Sequence, residues 1–293
     1  MIQLFLTDFF IYLFLVFGGG SEAPADNNVP QEMACTECHT DLVENDVMHY
    51  PAEDACDNCH ESTGNEHPGD SLGFALMDQI PALCFYCHEE GAEIDHPHQP
   101  VSEGKCLDCH DAHGSSNAMV LKSPEQELCL SCHNKSYESD SSLTINIGRL
   151  VKGKMIPHSA IEGGGCLVCH RSHGSENQNF LVVLYPVDDY ISVSTEGFGL
   201  CFQCHDTDLL EAEETEWGTN FRNGNQNLHW LHINGNKGRN CRMCHNLHGS
   251  EQKFLMEEQV AFGDWEMKMN FIPEEQGGSC LSGCHSKLSY SRQ

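Results

Sequence analysis

Eight times along this chain, two cysteines three positions apart are followed at once by a histidine. The sets are Cys35/Cys38/His39, Cys56/Cys59/His60, Cys84/Cys87/His88, Cys106/Cys109/His110, Cys129/Cys132/His133, Cys166/Cys169/His170, Cys201/Cys204/His205 and Cys241/Cys244/His245. A ninth set, Cys280/Cys284/His285, has one more residue between its cysteines. Together they use all 18 cysteines. Three chemistries compete for such a pattern. Disulfide frameworks belong to short secreted chains, usually under about 100 residues, and give no reason for a histidine after every second cysteine. Zinc takes four tetrahedral donors, and adjacent Cys and His side chains seldom serve one ion. Covalent haem attachment needs this set: two thiols that reach two vinyl groups on one porphyrin edge, and an imidazole beside them for the iron. The pattern predicts nine covalently bound haems c, with these nine histidines as proximal iron ligands.

Ten histidines remain: His49, His67, His96, His98, His113, His158, His173, His229, His232 and His248. Nine irons with a second imidazole each need nine of them, so the supply suffices with one to spare. Their placement is repetitive. Three motifs continue as Cys-x-x-Cys-His-x-x-His-Gly-Ser, over residues 106–115, 166–175 and 241–250. Each also has a histidine 8 to 12 residues upstream of its first cysteine: His96 or His98, His158, and His229 or His232. The first pair of motifs is a looser copy, with His49 upstream and His67 in place of the His-Gly histidine. His110 and His113 lie three residues apart on one side of the backbone, whereas two axial ligands approach an iron from opposite faces. His113 therefore serves a haem other than the one His110 holds, and the same holds for His173 and His248. The ten methionines recur at no fixed offset from the motifs. Methionine opposite histidine raises a haem potential and a second histidine leaves it lower, so low-potential, bis-histidine haems are expected.

These alternating units resemble the doubled-CXXCH multihaem cytochromes c, over roughly residues 35–285. The resemblance implies electron transfer in periplasmic carriers, porin–cytochrome conduits or surface cytochromes of respiring bacteria. It departs at the first unit, which lacks His-Gly-Ser, and at the ninth motif, which has no paired partner. Three function classes follow. The leading one is electron relay, since an iron with six ligands exchanges electrons and binds no substrate. A reductase would need one open iron, and only the ninth haem is a candidate, so no catalytic residue is assigned. A surface filament would use a spare histidine to cap a haem of the next subunit. Expected partners are other redox proteins or cytochromes, including an outer-membrane conduit; nucleic acid is not among them.

The elements that must position these groups are short. Gaps between successive motifs are 16, 23, 17 and 18 residues for the first five, then 32, 30, 35 and 34. The spacing divides the chain into a leader over residues 1–25, a dense haem cluster over 26–133, and a region with longer insertions over 134–293. About 30 residues per motif cannot bury a sufficient core from side chains alone, and aromatics are only 8% of the chain. The expected fold is a multihaem cytochrome c: mostly irregular, with a short helix at each motif, little sheet, and a core of stacked haems. Residues 180–185 read as a strand-length apolar run and 209–216 as a short acidic helix. Residues 2–17 are apolar apart from Gln3, Thr7 and Asp8, and Ala23-Pro24-Ala25 follows as a small-residue cleavage site. Export to the periplasm or cell surface is expected, matching haem attachment outside the cytoplasm. The net charge is −29, and no Lys or Arg precedes Lys105 whereas that stretch carries 20 acids. Such a surface is solvated and repels anionic polymers.

Overall fold

The computed structural model of the chain describes residues 34–69, 71–88, 94–139, 142–153, 155–191, 197–235 and 237–293. The leader expected over residues 1–25 lies outside them. Helices are short throughout, and the longest among the described residues is Glu125–Cys132. Glu125 and Glu127 in its first turn favour the positive end of the helix dipole. Helices shorter than about 12 residues are marginal in water on their own. These therefore depend on what they are tied to.

Six motifs open on a single 3-10 turn: Cys35–Glu37, Cys56–Asn58, Cys84–Tyr86, Cys166–Val168, Cys201–Gln203 and Cys241–Met243. Cys106–Cys109 is an α-turn, and Cys129/Cys132 close the helix Glu125–Cys132. The ninth motif departs from the expected helix, because Cys280 ends a strand, Gly277–Cys280.

More strand is present than the sequence suggested. Val47–Met48 pairs with Gly114–Ser115, His96–Pro97 with Gly174–Ser175, and Ile156–Pro157 with Gly249–Ser250, all antiparallel. Near the C-terminal end, Gln259–Phe262 and Trp265–Lys268 form a hairpin, and Ile272–Glu274, Gly277–Cys280 and Leu288–Ser291 form a three-stranded sheet. Two expectations fail locally. Residues 180–185 are not a strand: Gln178–Phe180 is a tight turn and the chain beyond it is irregular. The acidic helix over 209–216 shrinks to Asp208–Glu211.

Buried side chains gather in the second half. One cluster joins Tyr185, Phe198, Leu210 and Ile233, and another joins Val260, Met267 and Met269. Among the described residues no hydrophobic side chain before Leu130 is buried. The pairing of His96–Pro97 with Gly174–Ser175 joins the two regions divided at residues 133 and 134. No helix among the described residues is long and apolar enough to cross a membrane.

Candidate haem-binding sites

A 3-10 turn repeats every three residues, so side chains at i and i+3 eclipse. Two cysteines at that spacing are brought to one face of the turn. The turn closes from the histidine amide back to the first cysteine carbonyl: His39 to Cys35 at 2.9 Å, His88 to Cys84 at 3.0 Å, His245 to Cys241 at 3.0 Å. Local hydrogen bonds anchor these turns. The Glu125 Oε1 accepts from the amides of Cys166 and Leu167 at 2.7 and 3.1 Å, joining the fifth motif to the sixth. Asn240, fully buried, donates to the carbonyls of Pro186 and Asp188 and accepts from the Arg242 amide and the Tyr185 hydroxyl, fixing the start of the eighth.

The three short strand pairs do the long-range positioning. Each is followed by a histidine whose amide donates to the carbonyl of a histidine one unit further on: His49 to His113 at 3.0 Å, His98 to His173 at 3.0 Å, His158 to His248 at 2.9 Å. The glycine of each His-Gly-Ser permits this approach. A Cβ at Gly249 would fall on the Leu150 carbonyl, and one at Gly114 would sit 2.8 Å from the Val47 carbonyl. Gly174 also has φ +123°, a conformation that side chains disfavour.

Seven pairs of imidazole rings face each other. His39 lies 5.9 Å from His67, His88 5.9 Å from His49, and His60 6.3 Å from His113. His133 lies 6.0 Å from His98, His110 5.9 Å from His173, His205 6.1 Å from His158, and His170 6.2 Å from His248. Every pair joins one motif histidine to one non-motif histidine. Ordinary ring packing accepts such distances but gives no reason for that rule. Two metal–imidazole bonds of about 2 Å each, plus about 1 Å from each nitrogen to its ring centre, put the centres about 6 Å apart. The residues present therefore fit an iron held between two histidines.

The ring nitrogens agree. His49, His98, His110, His170 and His245 each direct Nδ1 at a backbone carbonyl, of Ala112, Ser172, Met119, Asn179 and Phe254, at 2.8 to 3.0 Å. A carbonyl only accepts, so Nδ1 carries the hydrogen and Nε2 keeps its lone pair for a metal. Burial, then neighbouring imidazoles, lowers His248 to about 4, and burial followed by His245 and His232 lowers His229 to about 4. Both are neutral at pH 7, the ligating form.

Consecutive motifs bring their cysteines near one another. Burial and then Cys35 raise the Cys56 thiol; burial, with Cys106 and Cys59 nearby, raises Cys84. Cys109 neighbours Cys132, Cys129 neighbours Cys166, Cys169 neighbours Cys204, and Cys201 neighbours Cys241. Cys244 is pushed up to about 12 by burial, with Cys280 and Cys284 beside it. The motifs thus follow one another in space in sequence order.

Three expected histidines stand apart from these ring pairs. His96 is exposed at the strand it shares with Pro97. His229 accepts or donates through Nδ1 with Thr219 Oγ1 at 2.8 Å and lies near enough to His245 to feel its charge. His232 donates from Nδ1 to the Leu228 carbonyl at 2.7 Å, and its ring lies 5.7 Å from Phe221. Phe221 in turn meets Tyr290, on the strand beside Cys280. At the ninth motif, the Cys280 thiol points to the Met269 carbonyl at 3.3 Å and Cys284 to the Met267 sulfur at 3.5 Å. His285 turns Nδ1 to the carbonyl of Ser286. Of the upstream histidines, His49, His98 and His158 face the first motif histidine of the following unit. The carbonyls that accept from Nδ1 were not foreseen. Their one signal is the serine that recurs after each His-Gly.

The sequence pattern described as the doubled CXXCH motif matches residues 49–93, 98–137 and 158–209. Over 133 residues the chain is 32% identical to the multiheme cytochrome MtrA of Shewanella baltica (strain OS185), covering 41% of this chain and 36% of the relative. The chain thus spans about a third of that relative's length. Motif spacing, cysteine use, paired histidines and both likenesses agree: this chain belongs to the doubled-CXXCH multihaem c-type cytochromes and binds its haems covalently.

Proposed function

We propose that the chain relays electrons along nine haems c arranged in sequence order. The observation that carries this reading is the set of seven ring pairs, each joining a motif histidine to a non-motif one. The cofactor supplies a one-electron ferric/ferrous couple at each site. All 18 cysteines serve as attachment points: Cys35, Cys38, Cys56, Cys59, Cys84, Cys87, Cys106, Cys109, Cys129, Cys132, Cys166, Cys169, Cys201, Cys204, Cys241, Cys244, Cys280 and Cys284.

The distal ligands follow from an exchange between units. Each unit gives its upstream histidine to the first haem of the next, so His49 serves the haem of His88, His98 that of His133, and His158 that of His205. Each next unit returns its His-Gly histidine, so His113 serves the haem of His60, His173 that of His110, and His248 that of His170. The ends close on themselves, with His67 serving the haem of His39 and His229 that of His245. His232 lies 9 residues before Cys241, whereas His49, His98 and His158 lie 7 or 8 residues before their cysteines. By that register it serves the first haem of the following unit, the ninth, and His96 is left over.

Saturated irons, neutral imidazoles and neighbouring motifs suit transfer between neighbours rather than substrate binding. Packed haems would supply the apolar bulk that the first half of the chain lacks. The chain would act after export, in the periplasm or at the cell surface, between other redox proteins and an outer-membrane conduit. A second reading, a reductase at the ninth haem, draws on one observation: among the described residues no imidazole ring faces His285 as the seven pairs face each other.

Intact mass and the reduced optical spectrum test the proposal together. The mass should exceed that of the chain by nine haems, with sharp low-spin bands throughout. Eight haems would remove the ninth site, and a high-spin fraction of about one ninth would favour the reductase.

A further inference from the structure

Among the described residues, three motifs carry a loop that the others lack. After His110, His170 and His245 the chain runs through His-Gly-Ser and then turns sharply back. The turn uses two successive non-glycine residues with left-handed backbone: Met119 and Val120 (φ 56° and 49°), Asn179 and Phe180 (55° and 58°), Phe254 and Leu255 (61° and 54°). Such conformations are sparsely populated, persist only where surroundings impose them, and gather at functional sites. The consequence here is the same three times. The carbonyl of the first strained residue accepts from the Nδ1–H of the proximal histidine, at 2.9, 2.9 and 2.8 Å. The second strained residue accepts from the amide that follows that histidine: Asp111, Arg171 and Asn246, at 2.8, 2.7 and 2.8 Å.

The serine of His-Gly-Ser imposes the turn. Ser115 Oγ donates to the Asn117 carbonyl and accepts from the Asn117 amide, both at 3.0 Å, and the Asn117 side chain donates to the Leu121 carbonyl at 3.0 Å. Ser175 repeats this with Asn177 and also reaches the Leu181 carbonyl at 3.0 Å. Ser250 donates to the Met256 carbonyl at 2.5 Å and accepts from the Gln252 amide at 2.9 Å. Ser115 and Ser250 are buried, so water does not compete freely for these hydroxyls.

We propose that Ser115, Ser175 and Ser250, with Asn117 and Asn177, are positioning residues that lower the reduction potentials of the fourth, sixth and eighth haems. A proximal imidazole whose Nδ1–H is held by a carbonyl is a more basic ligand. A more basic ligand favours ferric iron and lowers the potential, one of the levers by which a protein sets it. The inference rests on the ligation proposed above.

The test uses the haem-loaded full chain. An anaerobic redox titration, followed at the reduced-haem band, compares the native protein with S115A/S175A/S250A. Intact mass and low-spin bands of the native protein check the ligation separately, so failure there is failure of the underlying reading. With nine haems retained in the variant, one third of the absorbance change should move upward by about tenfold in reduction equilibrium, which is 59 mV for one electron. A native titration curve, or an equal shift in all nine haems, would overturn the proposal. Should the triple variant load fewer haems, N117A/N177A keeps the serines and should move two ninths of the amplitude in the same direction. An unmoved curve in that variant would overturn the proposal equally.

Discussion

Replacing Cys106 and Cys109 by alanine should leave a chain of eight haems in two electrically separate segments. The reason is the single-file order of the motifs. Cys84 has Cys59 and Cys106 as its thiol neighbours, and Cys109 has Cys132. The fourth motif therefore stands between the third and the fifth. With the protein fixed to an electrode through its C-terminal end, five haems, the fifth to the ninth, should exchange electrons as fast as in the native chain. The first three should lag far behind. Intact mass reports whether the other eight haems are in place. Fast exchange by all eight would mean that the haems form a cluster with several routes rather than a wire.

The chain secreted without attached haem should show no cooperative unfolding transition. Domains of this size ordinarily gain about 5–15 kcal/mol of net stability from burial. Here the described residues from 34 to 129 contain no buried hydrophobic side chain, and the two clusters that exist involve seven buried residues between Tyr185 and Met269. Helices of eight residues or fewer do not persist alone, and isolated two-stranded pairs are marginal. The stabilising ties must come from the thioether and iron bonds, much as metal-dependent domains fold only around their metal. Thermal melting followed by far-ultraviolet circular dichroism would check this. A sharp transition in the haem-free chain would show that side chains alone specify the fold. Residual structure confined to the hairpin of residues 259–268 is compatible with a haem-dependent fold.

The haem attachment sites were legible because covalent chemistry leaves little freedom: two thiols on one face of a turn and an imidazole beside them. Seven of the ten histidines left by subtraction face a motif histidine, and His96, His229 and His232 do not. Three-residue spacing also indicates that His113, His173 and His248 turn away from their own motif histidine, and each faces the histidine of another motif. What could not be read was which histidine meets which. That depends on strand pairs only two residues long, joining positions as far apart as His49 and Ala112 or His98 and Ser172. Two residues show no alternation of apolar and polar side chains, the signal by which strands are recognised.

The C-terminal sheet was missed for a related reason. Gly277 and Gly278 weaken any strand propensity, but a Cβ at Gly277 would fall on the Tyr290 carbonyl and one at Gly278 would press on the Tyr290 ring. They are glycine because a neighbouring strand lies so close. Residues 180–185 misled in the opposite sense. Their apolar character looked like a strand, yet Phe180 and Leu181 belong to the loop that brings a carbonyl to His170.

Irons held between paired histidines should follow one another in sequence order. The most direct measurement is a structure of the haem-loaded chain in which each iron is located by its anomalous scattering. Nine iron peaks are expected. Seven should lie midway between His39 and His67, His60 and His113, His88 and His49, His110 and His173, His133 and His98, His170 and His248, and His205 and His158. Each iron should have as its nearest neighbours those of the motifs immediately before and after it. Irons bound by other histidine pairs, or a haem of the first unit packed against one of the fourth, would contradict this arrangement.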